Sequence, residues 1–180
     1  MSKFSRSMII TVLTVLVAVG LAAKLEPAAK FVHEDAKGKL TIIGKAAVVL
    51  TGDDQFVNRI MEDVTAIGLL GRGIKVAYPD ENSFGKLRRE PGKDPMQVAR
   101  TAGANVLLTG MVVTEPVCPS DCGRECQHPC RSLKVNIASL SLVDVPQDKV
   151  LVWALYEPDS AVSTSRLATA FVELLVESLK

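Results

Sequence analysis

Outside one short segment this chain has no cysteine: all four lie between positions 118 and 130. Histidine is nearly missing as well, with only His33 and His128. A Ser-His-Asp or Cys-His nucleophile has little to draw on from that supply. There is no excess of charge of one sign, since 21 Lys and Arg face 20 Asp and Glu for a net charge of +1. Removing residues 1–23, which hold Lys3 and Arg6 and no acid, leaves −1. A near-neutral domain without a long basic run makes no electrostatic case for nucleic acid. Gly71-Arg72-Gly73 is not followed by Gly-Lys-Ser/Thr, so it is not a phosphate loop. Asp53 and Asp54 are adjacent and would point in different directions on a helix, which suits capping better than paired acid–base work. No internal repeat, low-complexity tract or catalytic constellation emerges, and the chain reads as a non-enzyme.

Apolar residues make up 48% of the 180 positions and charged residues 23%, enough for one folded domain beside a targeting segment. The targeting segment is at the amino terminus. Lys3 and Arg6 precede an uncharged run of 16 residues, Met8 to Ala23, which Lys24 and Glu26 end. A positive start, an apolar stretch and small residues at its close form a secretory signal pattern, and a cut after Ala22 would place Gly20 at the −3 position. The run falls a little short of the ~20 residues of a spanning helix, so a retained anchor through residues 8–23 stands beside cleavage as an alternative. Either way the two cations keep the start in the cytoplasm and put the domain outside, in the periplasm or on the outer face of the cytoplasmic membrane.

Residues 24–39 are polar, with Pro27 and Gly38, and read as a linker in which His33 is solvated. From 40 to 180 the pattern is that of one α/β domain. Residues 40–50 read as a strand interrupted at Gly44. Asp53 and Asp54 start a helix whose expected inward stripe is Phe56, Ile60, Val64 and Ile67, widened by Val57, Met61 and Leu70. Gly71 and Gly73 stop it. A short strand at 74–78, a short helix capped by Asp94 with Pro95 at its first position, and a strand at 105–114 follow. Residues 133–145 and 149–157 form a hairpin around Pro146–Asp148, with a phase shift that either a bulge near Ser139 or burial of both faces would explain. A last helix starts at Asp159 or Ser160, with Leu167, Phe171, Leu174 and Val176 or Ser178 as its expected buried stripe. The fold class expected is α/β (α+β): a single mixed β-sheet of about five strands, two long helices packed on it, and one or two short helices.

Three strings carry a family resemblance: AAVVL at 46–50 with the helix after Asp53, ARTAGANVLLTG at 99–110, and SLSLVDVPQDKVLVW at 139–153. In this order they resemble the domain shared by curli-secretion (CsgG-like) proteins and penicillin-binding-protein activator (LpoB-like) lipoproteins, itself similar to the amino-terminal domain of TolB. Trp153 on a central strand would then be core. Members of that group are typically lipidated on a cysteine after the signal, and here that position holds Ala or Lys. A pore would need alternating strands of ~9–11 residues, and neither insertion alternates. The resemblance implies an accessory role: binding another envelope protein and modulating it. An oligomeric scaffold of identical domains is a further alternative that it suggests.

The cysteine insertion, 118–130, reads CPSDCGRECQHPC. Gly123 and Pro129 argue against a continuous helix, and the segment joins two strands, so it is an excursion of a hairpin. An oxidising compartment favours disulfides among Cys118, Cys122, Cys126 and Cys130, with nested pairing as one of three connectivities. The alternatives are a zinc site of these four thiolates, with His128 as an extra ligand, and free or redox-active thiols. Zinc analysis and thiol counting on exported protein separate them. No other cofactor is indicated. The basic group Lys86, Arg88, Arg89 and Lys93 lies in a polar stretch and is a candidate partner contact, although such runs are more often solvated loops.

Overall fold

The computed structural model describes residues 24–39, 43–77, 94–117, 132–159 and 162–180. In chain order the elements are β1 (Ala29–Val32), a 3-10 turn (Glu34–Ala36), β2 (Lys45–Gly52), α1 (Gln55–Leu70), β3 (Lys75–Val76), α2 (Pro95–Thr101), β4 (Val106–Val117), β5 (Ser132–Asp144), β6 (Lys149–Tyr156) and α3 (Thr164–Leu179). The strands form a single mixed sheet in the order β1-β6-β5-β4-β2-β3, which is an α+β fold. β2 runs parallel to β3 and β4, and β4, β5, β6 and β1 pair antiparallel in succession.

Turn chemistry sets the middle of this sheet. Asp144 Oδ1 accepts the backbone N–H of Gln147 at 3.1 Å, and Asp148 takes the left-handed conformation at φ 52°. β5 and β6 are thereby registered as a hairpin. The expected phase shift in β5 is real, but the bulge lies at Asn136: Val113 pairs with Ile137 and Thr114 with Val135, so position 136 is skipped. Val135, Ala138, Leu140 and Leu142 then point to one face, while Ile137 points to the other. A second irregularity, at Leu151 in β6, lets both Leu151 and Val152 reach the main core.

The linker reading of 24–39 is corrected. Residues 29–32 are β1, paired with Val152–Leu155 of β6, and they make the sixth strand. It is a short edge strand that buries little and keeps Lys30 exposed. His33 is not simply solvated: its Nδ1 accepts the backbone N–H of Asp35 at 3.1 Å and caps the 3-10 turn.

α1 and α3 pack side by side over one face of the sheet. Gly68 of α1 allows the contact, since a Cβ there would sit 3.2 Å from a Val172 methyl. Asp54 caps α1 by accepting the Val57 N–H, and Ser163 caps α3 by accepting that of Arg166. α3 therefore starts later than Asp159 or Ser160, because Val162 first bridges to Val135. Leu167, Phe171, Leu174, Leu175 and Leu179 are its buried face. Each such side chain contributes about 1.5–3 kcal/mol when fully buried.

The expected stripe of α1 is also corrected. Val57, Asn58, Met61, Glu62, Thr65, Ala66 and Leu69 face inward, whereas Phe56, Ile67 and Leu70 are exposed and Ile60 and Val64 are half-buried. Polar residues on the inner face explain the shift. Glu62 Oε1 accepts the backbone N–H of Leu50 at 2.9 Å, at a position of β2 beyond the end of β3. That bond fixes the rotation of the helix against a count of apolar residues alone.

Candidate functional site

The second face of the sheet is covered only at one end. α2 lies there, with Ala99 and the following Ala104 packed on Ala47, Leu107, Val143 and Val145. The helix starts where Asp94 accepts the Met96 N–H, with Pro95 at its first position, and it is seven residues long. A helix of that length spans roughly 10 Å, which leaves the rest of the face without a covering layer among the described residues.

The strand registers decide what this open area displays. One row across five strands is Val49, Thr109, Ser141, Trp153 and Phe31. The next is Thr51, Met111, Ser139, Leu155 and Ala29. Neither row holds a charged side chain. At the ~4.8 Å strand spacing they run about 19 Å across the sheet. Met111 is 53% exposed and Phe31 49%, and Ile137, one row further along, is exposed too. Trp153, Leu155 and Val49 are half-buried.

Trp153 is therefore not part of the helix-covered core, as its central strand suggested. Its indole Nε1 donates to Ser139 Oγ at 2.9 Å, which ties the ring to the neighbouring strand. On the adjacent edge Phe31 meets His33 edge-to-face at 6.1 Å. The hydroxyls here are committed to structure: Thr51 Oγ1 donates to the Gly110 carbonyl at 2.9 Å, and the partner of Ser139 is an indole that cannot take a proton. The face offers apolar contact and hydroxyl hydrogen bonds rather than acid–base chemistry.

Charged groups lie outside both rows, and the ion pairs of this domain fall mainly on the helix-covered side. Lys39 Nζ lies 3.0 Å from Asp144 Oδ2, and Lys149 pairs with Asp35. The hydrogen bond and charge of Lys149 hold the Asp35 carboxyl below its ordinary value. At the far corner, Lys24 donates to Glu177 at 2.8 Å, which raises the ammonium and lowers the carboxyl. Burial pushes the Tyr156 phenol well above its usual value, and its hydroxyl has no hydrogen-bond partner in the structure. Between sheet and helices a cavity of about 10 Å³ is lined by Ile43, Leu69, Ile74, Leu108, Leu175 and Leu179 among others. It is no larger than a water and has no polar handle for a ligand.

The site residues expected from sequence lie elsewhere. Cys118, Cys122, Cys126, Cys130 and His128, the basic group Lys86, Arg88, Arg89 and Lys93, and the apolar run 8–23 all fall outside the described residues. The structure does bring the two ends of the cysteine insertion side by side, since Val117 pairs with Ser132 at the tip of the β4–β5 hairpin. No helix among the described residues is long and apolar enough to cross a membrane. The open face itself was missed. Its signal is the alternation Thr109, Met111, Val113 opposite Ser141, Ser139 and Ile137, which becomes visible only once the register is known.

No protein-family model matches the chain, and no curated protein matches it. Solved structures do. The PelC dodecamer from Paraburkholderia phytofirmans is 16% identical with a TM-score of 0.49, over 84% of this chain and 94% of that one. The lipoprotein GNA1162 from Neisseria meningitidis is 18% identical with a TM-score of 0.41, over 76% of this chain and 99% of that one. Neither is a curli-secretion or penicillin-binding-protein activator protein by name. At such identities and scores the likeness bears on neither activity nor partner.

Proposed function

We propose that this chain is a non-catalytic accessory protein of the cell envelope, which binds and modulates another envelope protein through the open sheet face. The observation that carries the reading is the pair of uncharged rows across five strands. A contiguous uncharged face that exposes large apolar side chains marks a protein contact more often than bare surface. Its chemistry also defines the occupant: a protein surface with few charges, able to shelter Met111 and Phe31 and to meet Thr109 and Ser141 with hydrogen-bonding groups. The export pattern of residues 1–23 supports the compartment, and the order of the strings at 46–50, 99–110 and 139–153 supports an accessory domain of the curli-secretion and penicillin-binding-protein activator kind.

The test is comparative capture from cross-linked envelope fractions. Met111→Arg places a charge in the middle of the face, at an exposed position that leaves folding intact. It should abolish recovery of the species that wild type retains, while Lys180→Ala, away from the face, should retain it. Equal recovery by wild type and Met111→Arg would remove the face from the proposal.

A further inference from the structure

We infer that the outer face of α1 is a self-association surface, on which a second copy of this chain packs its own α1 antiparallel. This contact is separate from the sheet face and does not depend on the function proposed for it.

Phe56, Ile60, Asp63, Ile67 and Leu70 follow one another at intervals of four, three, four and three residues. At 100° per residue these positions fall within one narrow stripe, directly opposite the buried stripe centred on Met61, Thr65 and Leu69. Four of the five are large and apolar. Phe56 is 70% exposed, Ile67 66%, and Leu70 is exposed as well. A helix needs one apolar face to dock on its own sheet, and α1 already has that face. A second at seam spacing, turned to solvent, is the pattern of a helix that packs on another helix. Of the residues expected to face inward, Phe56, Ile60 and Ile67 belong to this outer seam, while Val64 packs against the core.

Charge then selects the occupant. The stripe carries Asp63, and Arg59 borders it, with Arg59 Nε 3.7 Å from Asp63 Oδ2 along the helix. Both side chains are more than half exposed, so both are free to be shared with a partner. A membrane surface is a poor match, because an interfacial helix wants a Lys- and Arg-rich polar border and this one is neutral. A parallel second copy is a poor match too, since it sets Asp63 against Asp63. An antiparallel copy is complementary to itself. A two-fold axis near positions 61–62 sets Phe56 against Ile67 of the other copy and Arg59 against Asp63, each pair occurring twice. The same register shelters Ile60 beside the neutralised Asp63. The opposed helix dipoles add a small favourable term. α1 is about 24 Å long, so the contact is a small one and the dimer should be weak and concentration-dependent.

Sedimentation velocity on protein purified from the envelope fraction tests this over a range of concentrations. Wild type should show a monomer–dimer equilibrium. Ile67→Glu and Asp63→Arg should each weaken it by about tenfold or more, the second by facing Arg59 with a like charge. The double reversal Arg59→Asp with Asp63→Arg restores the cross-pairs and also keeps an i,i+4 pair within the helix. It should return association to within about threefold of wild type. Far-UV circular dichroism controls for folding, and Phe56→Arg serves if Ile67→Glu unfolds. Met111→Arg should leave the dimer unchanged. The inference is overturned by a wild type that stays monomeric throughout, by a dimer indifferent to both Ile67→Glu and Phe56→Arg, or by a double reversal as weak as Asp63→Arg alone. It is equally overturned if the ridge binds anionic phospholipid vesicles in place of a second copy.

Discussion

Single residues set the geometry of this domain where a backbone or a hydroxyl has no room to move. Gly110 is the clearest case. It lies in the middle of β4, and a Cβ there would sit 2.1 Å from the Ser139 carbonyl oxygen and 2.9 Å from Leu140 Cα. Both obstacles are backbone, so neither can turn aside. Gly110→Ala should therefore destabilise the protein by about 3 kcal/mol, measured by urea unfolding, far above the ordinary effect of glycine replacement in a strand. A change under about 0.5 kcal/mol would mean that β4 and β5 are not so closely paired there. Trp153 shows the limit of reading residues one at a time. A lone tryptophan on a central strand suggests core, but whether it faces the helices or the open side depends on strand phase. That phase is set by two bulges: the one in β5 shows in the sequence as a phase shift but lies at Asn136, and the one at Leu151 has no local signal. Glu62 is the converse case: a charged residue faces inward because its carboxylate accepts the backbone N–H of Leu50.

At the scale of elements the caps of α1 and α2 were legible and so was the inward face of α3, but the inward face of α1 was not. Asp54, Gly71, Asp94 with Pro95, and the Pro146–Asp148 turn could all be placed from residue chemistry, because each acts through its own backbone neighbourhood. Asp54→Ala should cost about 1 kcal/mol, since it leaves the Val57 N–H without its cap; urea denaturation at constant m-value checks this. No measurable loss would mean that Asp53 takes over the cap. Asp53 has another role in the fold, as its carboxylate accepts from both the backbone N–H and the hydroxyl of Thr114 at 3.2 Å and pins the start of α1 to β4. β1 was missed because a four-residue edge strand of Ala, Lys, Phe and Val buries too little to leave a pattern. The start of α3 was misjudged by a few residues because the bridge between Val162 and Val135 is long-range. α1 had two apolar stripes, and periodicity alone selects neither.

At the scale of the molecule, one face of the sheet is closed by α1 and α3, and among the described residues the other is covered by α2 at one end alone. The single mixed sheet and its two long helices followed from hydrophobic period and turn signals. The uncharged rows did not, because they are assembled from five strands spread from Ala29 to Leu155. A domain that leaves Met111, Ile137 and Phe31 in water gives up burial that a short covering helix would provide, and contact with a partner is what would recover it.

Photo-cross-linking in living cells tests that directly. A benzoylphenylalanine is placed at Thr109 or Met111 in the two rows, and at Glu177 on the helix side as a comparator. The account predicts the same protein adduct from both sheet positions and none of it from Glu177. Adducts that do not differ between the sheet face and Glu177, or sheet positions that label only lipid, would contradict it.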